Sequence, residues 1–413
     1  MLKRLTVVIT LLIASSALAQ QGTVSPYSFY GIGTLKFKGT AENRMMGGLS
    51  TYSDSIHLNI QNPAGVAGLR LVNFSLGGSH KYETQDSNTE SQQSSTTSLD
   101  YLAIGIPMGK FGASFGLIPY TSVGYRLQTE TESSLTQYTG SGGLNRIFLA
   151  FGYEVTPKLS VGVDVNYNFG TIENKAVDII DQVQFATREI NESELLGFSY
   201  NFGAQYKTMV SENLELSTSI SYTPETDFTS ENNRRIATIV INSAGNEGTV
   251  DERDINVGNT EFTFPSQLTL GAGIGAPKKW FVGAEYTNQK TSNFTNRTFT
   301  LDNVEFNDAS KYRIGGFYIP NYNGYGSYWK RVVYRAGFRM EETGITLNGQ
   351  DINEFGISFG VGLPVGRLFS NVNLGFEVGS RGTKDAGLIQ ENFFNAFLSL
   401  SLNDKWFQKR YID

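Results

Sequence analysis

The chain of 413 residues has no cysteine, two histidines, three tryptophans and no excess of basic charge. Without a thiol there is no disulfide framework, no thiolate nucleophile and no cysteine-ligated metal. General-base chemistry usually runs through an imidazole, and His57 and His80 stand beside no serine-containing signature. No catalytic residue and no enzyme activity are expected. Phosphate recognition needs clustered Lys and Arg, whereas this chain carries 33 basic against 39 acidic side chains. Nucleic acid is therefore excluded as a partner.

Long apolar runs are also missing. The longest, Leu5 to Ile13, falls far short of the roughly 20 residues that cross a bilayer as a helix. Lys3 and Arg4 precede it and Ala17-Leu18-Ala19 follows, so residues 1–19 read as a cleaved signal peptide. Its removal takes the net charge from −6 to −8.

Glycine and aromatic residues are abundant. The 45 glycines are about 11% of the chain, against roughly 7% on average, and aromatics reach 13%. From Leu71 onward, segments of about ten residues alternate large apolar with small or polar residues, the period of a strand. In 159–169, Leu159, Val161, Val163, Val165, Tyr167 and Phe169 share one face, opposite Ser160, Gly162, Asp164, Asn166 and Asn168. About fourteen such strands are expected, near 71–79, 99–107, 111–130, 144–153, 159–172, 194–207, 213–223, 266–275, 279–290, 310–318, 331–340, 353–362, 371–379 and 393–402.

The connections decide between a soluble sandwich and a closed barrel. They alternate between long segments (80–98, 131–143, 173–193, 224–265, 291–309, 341–352, 380–392) and short turns such as Met108-Gly109-Lys110 and Ala276-Pro277-Lys278. A transmembrane barrel sorts its turns this way, and closing the sheet satisfies every backbone group inside lipid. The expected fold is all-β: an antiparallel up-and-down barrel in a bacterial outer membrane, in contact with its lipid. Ring girdles are expected at Tyr153, Tyr167, Tyr206, Tyr222, Trp280 and Tyr286. The segment Thr84–Ser98 reads as solvated and mobile. One connection on the short side, Ile319–Lys330, is long and sticky, with Tyr322, Tyr325, Tyr328 and Trp329.

Residues 20–70 lack the alternation and carry glycine punctuation instead, so they are expected to fold into the lumen as a plug. The domain reading is a signal peptide at 1–19, a plug at 20–70, a barrel at 71–402 and a periplasmic tail at 403–413. Charges within strands cannot face lipid, since an Arg or Lys at mid-bilayer costs roughly 2–4 kcal/mol. Asp164, Glu285, Arg313, Arg335, Arg339 and Glu377 must therefore point inward. There they either meet a ligand carboxylate, for which Arg335 and Arg339 on one strand face are placed, or pair with lumenal acids and lock the plug.

Two motifs carry no site. Gly271-Ala272-Gly273-Ile274-Gly275 superficially matches a dinucleotide fingerprint but leads through Pro277 into another strand rather than a helix. Asp251-Glu252-Arg253-Asp254 lacks regular oxygen-ligand spacing. Neither a cofactor nor a metal is expected.

The leader, with Arg44-Met45-Met46-Gly47-Gly48, Tyr52-Ser53-Asp54-Ser55 and Gln61-Asn62-Pro63-Ala64-Gly65-Val66-Ala67, resembles the start of the FadL family of outer-membrane barrels. The start Ser25 to Gly31 and the closing stretch Phe397 to Asp413 look like the Bacteroidetes branch of such barrels, although here a basic, aromatic tail follows the last strand. The resemblance implies an N-terminal hatch in which Gly47, Gly48, Asp54, Asn62, Pro63, Ala64 and Gly65 take part. It implies passive uptake of a hydrophobic small-molecule ligand such as a long-chain fatty acid or an aromatic hydrocarbon. It equally covers relatives that move nothing small and act as subunits of outer-membrane assembly or secretion complexes, with outer-membrane or periplasmic protein partners.

Overall fold

The computed structural model describes residues 22–293, 303–322, 327–366 and 370–405. The expected signal peptide lies outside them. Fourteen antiparallel strands form a closed barrel. In chain order they are β1 (Val72–Asp86), β2 (Ser91–Met108), β3 (Phe111–Pro119, continued by Thr121–Glu130), β4 (Ser134–Thr156), β5 (Leu159–Ile180), β6 (Ala186–Ser211) and β7 (Leu214–Thr223, continued by Thr226–Ile241). Then follow β8 (Glu247–Ile255, Thr260–Phe264 and Gln267–Ala276), β9 (Trp280–Gln289), β10 (Val304–Phe306 and Ala309–Tyr318), β11 (Val333–Leu347), β12 (Gln350–Val365), β13 (Ser370–Arg381) and β14 (Gln390–Asp404). Each strand pairs with its neighbours in sequence, and β1 pairs with β14 from Val72↔Asp404 to Asp86↔Gln390, which closes the sheet.

The alternation read from the sequence is the alternation of the wall. On β9, Val282, Ala284 and Tyr286 are exposed while Phe281, Gly283, Glu285 and Thr287 are buried. On β14, Leu398, Leu400 and Leu402 face out, and Ser399, Ser401 and Asn403 face in. A band of large apolar side chains thus girdles the outside, with tilted aromatic pairs such as Phe111–Tyr153 toward one end and Tyr167–Phe198 toward the other.

Most of the expected long loops are strand. β1 continues to Asp86 and β2 begins at Ser91, so the segment expected to be solvated and mobile at Thr84–Ser98 is mainly paired, Gln85 opposite Gln92. Likewise 224–265 holds a hairpin, Arg234–Ile241 against Glu247–Ile255. β4, β5 and β6 reach 23, 22 and 26 residues, about twice the 9–11 that a tilted strand needs to cross hydrocarbon. Their far halves continue past the apolar band, where the sheet keeps only small buried clusters such as Val177, Ala186, Ala237 and Ile239. The period-two signal vanishes there although the ladder of backbone hydrogen bonds does not. Ion pairs across strands replace it: Lys175 and Arg188 share Glu247, and Arg234 meets Glu189. Asp251 and Glu252, weighed as cation ligands, pair with Arg253, Arg188 and Arg235.

The short-turn end carries the chain start of β1, the end of β14 and the connection Ile319–Lys330. The start of that connection packs onto the neighbouring turn, with the Ile319 amide donating to the Lys279 carbonyl.

Leader and lumen as the candidate functional site

Residues 22–70 run inside the wall along its length. At the long-hairpin end, Ser25 donates to Glu391, Tyr27 to the Ile389 carbonyl, and Gln85 to the Val24 carbonyl at 2.8 Å. At the short-turn end, Pro63–Gly68 forms a 3-10 turn and Arg70 pairs with Glu154 at 2.9 Å. Between them, leader and wall share their hydrophobic clusters. Leu58, Ile60, Val66 and Leu69 pack with Tyr101, Ile118 and Phe148, while Met46 and Leu49 pack with Phe281 and Phe317. Leu49 and Val66 are fully buried, each worth roughly 1.5–3 kcal/mol relative to exposure.

Asn62 explains why Asn-Pro-Ala-Gly stands there. Its side-chain oxygen accepts from the Ala64 amide at 3.0 Å and caps the turn, and Pro63 supplies the fixed φ of a first helical position. Its Nδ2 donates to the Ala204 and Ile220 carbonyls of β6 and β7 at 3.3 and 3.2 Å. The turn rests on a glycine floor: a Cβ on Gly112 would stand 2.2 Å from the Val66 carbonyl oxygen, and one on Gly162 2.4 Å from the Pro63 carbonyl carbon. Across the lumen Gly47, at φ +70°, donates to Ser358 at 3.1 Å and lies on Gly315 and Gly337. A Cβ on Gly337 would meet the Gly47 nitrogen at 2.0 Å. Gly48, at φ +90°, sits beside Phe37 and Arg313, and Gly65 against Asn59.

Each charge singled out on the wall has a place in this packing. Asp164 meets Lys38 of the leader at 3.1 Å. Glu285 accepts from the Ser50 amide at 2.8 Å and its hydroxyl at 2.6 Å, and pairs with Arg313. Glu377 takes Arg44 of the leader at 3.1 Å together with Arg339, which also reaches Glu354. Arg335 donates to Asn373 at 3.1 Å, and Asn373 in turn donates to Glu42 at 2.9 Å. Arg335 and Arg339 therefore do not converge on one free carboxylate position. Lys38, Glu42, Ser50, Glu354 and Arg381 also belong to the network and carried no local signal in the sequence, and Arg44 was marked only as part of the Arg44-Met45-Met46-Gly47-Gly48 stretch.

The Asp54–His57 corner is compact. Asp54 accepts from the Ile56 and His57 amides at 2.9 and 2.7 Å and from His57 Nδ1 at 2.7 Å. The other ring nitrogen, Nε2, lies 3.2 Å from Asn371, so neither nitrogen faces a hydroxyl. Burial opposes charge on both groups but is outweighed by their attraction and hydrogen bond. Asp54 is held down at about 2 and His57 is raised above its ordinary value. His80 contacts Thr97 at 2.8 Å in an exposed position. Among the described residues no cluster of His, Asp and Glu is arranged to hold a metal.

Between leader and wall a cavity of about 290 Å³ remains toward the long-hairpin end. Ile32, Phe37, Tyr120 and Phe264 give it an apolar side; Lys36, Arg339, Glu354 and Arg381 give it a charged one. Lys36 donates to the Gly22 carbonyl, and burial pulls its pKa down to about 8.

A family model described as BamG matches residues 1–413, the whole chain. The chain belongs to the BamG family. No curated protein sequence matches it. Among solved structures, the monoaromatic hydrocarbon channel CymD superposes with a TM-score of 0.58 at 13% identity, covering 92% of this chain and 100% of that one. The toluene transporter TodX of Pseudomonas putida gives 0.56 at 16%, covering 90% and 99%. A FadL homologue from Pseudomonas aeruginosa gives 0.56 at 11%, covering 90% and 98%. At these identities the likeness is one of fold: this chain has a FadL-type barrel.

Proposed function

We propose that this member of the BamG family spans a bacterial outer membrane, its short turns in the periplasm and its long hairpins outside, and takes up a small hydrophobic or amphipathic molecule in the manner of FadL-type channels. In this reading residues 1–19 are a removed signal peptide, 20–70 a plug, 71–402 the barrel and 403–413 a periplasmic tail, and the source is the Bacteroidetes branch. The observation that carries it is the half-apolar cavity between leader and wall, inside a wall whose fold is that of hydrocarbon channels.

A second reading has its own support. The cavity is small, the wall's inward glycines are occupied by the leader rather than by a tunnel, and Arg44, Lys38 and Ser50 tie the leader to three separate acids of the wall. A barrel filled this way also suits an accessory subunit of an outer-membrane assembly or secretion complex, and the whole-chain family match lends that reading weak support.

Gentle extraction of the native protein followed by mass spectrometry of all co-purifying lipids, small molecules and proteins separates the two. A lone barrel with a bound fatty acid or hydrocarbon supports uptake. Stoichiometric envelope proteins with no such molecule refute uptake and leave the accessory barrel.

A further inference from the structure

The connection between β10 and β11 is an unusual element for the short-turn end. Its last turn, Tyr328–Arg331, is exposed throughout, Trp329 by 64%. Beside it stands the β8–β9 turn, whose Lys278 and Lys279 are also exposed. The two are bound together by the Ile319 amide on the Lys279 carbonyl at 2.7 Å and by Lys278 over the Tyr322 ring at 5.5 Å. Arg331 lies 5.6 Å from the Tyr328 ring centre. Among the described residues none of Lys278, Lys279, Lys330 and Arg331 has a carboxylate within ion-pair distance, whereas Arg70 at the same end does.

The placement of the rings decides what such a patch fits. Trp329 is not hung below the barrel: its carbonyl accepts from the Tyr334 hydroxyl at 3.2 Å, and Tyr334 faces outward on β11, exposed like Tyr318 opposite it. Tyr328 donates to the Pro364 carbonyl of β12 at 3.0 Å. Trp280 pairs with Tyr318 in the same row. Four cations with no carboxylate partner among the described residues thus stand beside a cluster of tyrosines and tryptophans continuous with the apolar band. Rings with a polar tip settle at the level of lipid headgroups, and clustered cations there attract anionic lipid.

We propose that Lys278, Lys279, Lys330 and Arg331, with Trp280, Tyr328 and Trp329, form a binding site for the headgroups of anionic phospholipids in the periplasmic leaflet. The site rests on the barrel spanning a membrane and is independent of what the lumen carries. It fixes one sector of the barrel, β8 to β12, at the membrane surface. Because the attraction is electrostatic, it weakens with salt over the range in which the Debye length falls to about 10 Å and below.

The test uses the full chain in phosphatidylcholine vesicles with and without phosphatidylglycerol. Two of the three tryptophans, Trp280 and Trp329, lie in the site, so quenching of intrinsic fluorescence by phosphatidylglycerol brominated near the headgroup reports occupancy. Native mass spectrometry counts the phosphatidylglycerol retained. The parent is expected to prefer phosphatidylglycerol over phosphatidylcholine, and a Lys278→Gln, Lys279→Gln, Lys330→Gln, Arg331→Gln variant to lose that preference by roughly fivefold for each cation removed. The pairs Lys278→Gln/Lys279→Gln and Lys330→Gln/Arg331→Gln give the same reading by halves should the fourfold variant not fold. Lys110→Gln/Lys158→Gln, on other turns of the same end, is expected to keep the preference. No preference in the parent, or a preference that survives the substitutions, overturns the site. Quenching by brominated phosphatidylcholine reports insertion itself; its absence overturns the spanning reading and the site with it.

Discussion

Adding one methyl group to Gly337 tests whether the leader is seated on the wall as a rigid body. A Cβ there would stand 2.0 Å from the Gly47 nitrogen and 2.2 Å from the Met46 carbonyl carbon, both backbone atoms, where contacts under 3.0 Å are essentially never seen. The leader must retreat by about 1 Å over Met46–Gly47 in Gly337→Ala, since strand β11 is held on both sides by β10 and β12. That retreat breaks the 3.1 Å bond from Gly47 to Ser358, worth about 1 kcal/mol, and adds overpacking strain of about 1–3 kcal/mol. A loss of roughly 2 kcal/mol in leader docking raises the undocked population about thirtyfold. The chain has no native cysteine, so Ala41→Cys, buried at 6% exposure in the leader, supplies a single labelling site. Maleimide labelling of Ala41→Cys is expected to quicken about thirtyfold when Gly337→Ala is added, with the barrel still folded by its heat-dependent gel mobility. Gly258→Ala, where a Cβ meets nothing within 4 Å, is expected to change nothing. Equal labelling rates with and without Gly337→Ala refute the seating argument.

Other consequences follow from the same network. Glu285→Gln leaves half-buried Arg313 without its carboxylate and Ser50 with a weaker acceptor; about 2–4 kcal/mol of stability is expected to go, read as a lower denaturant midpoint, and Glu285→Gln/Arg313→Met is expected to recover part of it. Glu247→Gln, in the exposed ladder with Lys175 and Arg188, is expected to cost under about 1 kcal/mol and less still in high salt; a larger loss would mean the extension is more than a solvated sheet. His57 has a raised folded pKa, so its contribution to leader docking is complete below its ordinary unfolded value near 6.5 and is lost as pH rises through the raised folded value. Asp54, lowered to about 2, contributes above its ordinary value and is lost only as pH falls toward 2. Labelling of Ala41→Cys should therefore quicken on the alkaline side, and His57→Gln should flatten that rise; a pH profile unchanged by His57→Gln would detach the corner from docking.

The barrel was legible where one face of a strand meets apolar surroundings and the other meets polar ones, because only there does composition alternate. Leu159–Phe169 is such a stretch, and its faces in the structure are those read from the sequence. Ser91–Thr97 is strand as well, yet both of its faces are wet, and Ser, Thr and Gln at every position leave no period to detect. Strand pairing there follows from continuation of the ladder beyond the apolar band. Local sequence does not encode it, which is why segments that looked like loops turned out to be hairpin arms.

The inward face shows the same limit more sharply. Gly112, Gly162, Gly315 and Gly337 on strand faces opposite the apolar band carry no sign of what they contact, because a missing side chain and a solvated one leave the same gap in a hydrophobic pattern. Their function is visible only from the other side of the contact: each leaves room for backbone of the leader, at Val66, Pro63, Met46 and Gly47. The charges divide in the same way. That Asp164, Glu285 and Glu377 point inward followed from the cost of placing a carboxylate in hydrocarbon, a property of each residue alone. That Glu377 faces Arg44, 333 residues away in the chain, depends on two distant segments meeting, and no spacing in the sequence carries it. Yet Asn62-Pro63-Ala64-Gly65 was recognisable without any partner in view, because its cap is local: Asn62 satisfies the Ala64 amide two residues on before it reaches the wall. Motifs that fold themselves first and dock second are the part of such a leader that a single sequence can disclose; the glycine floor that receives them becomes readable once their position is known.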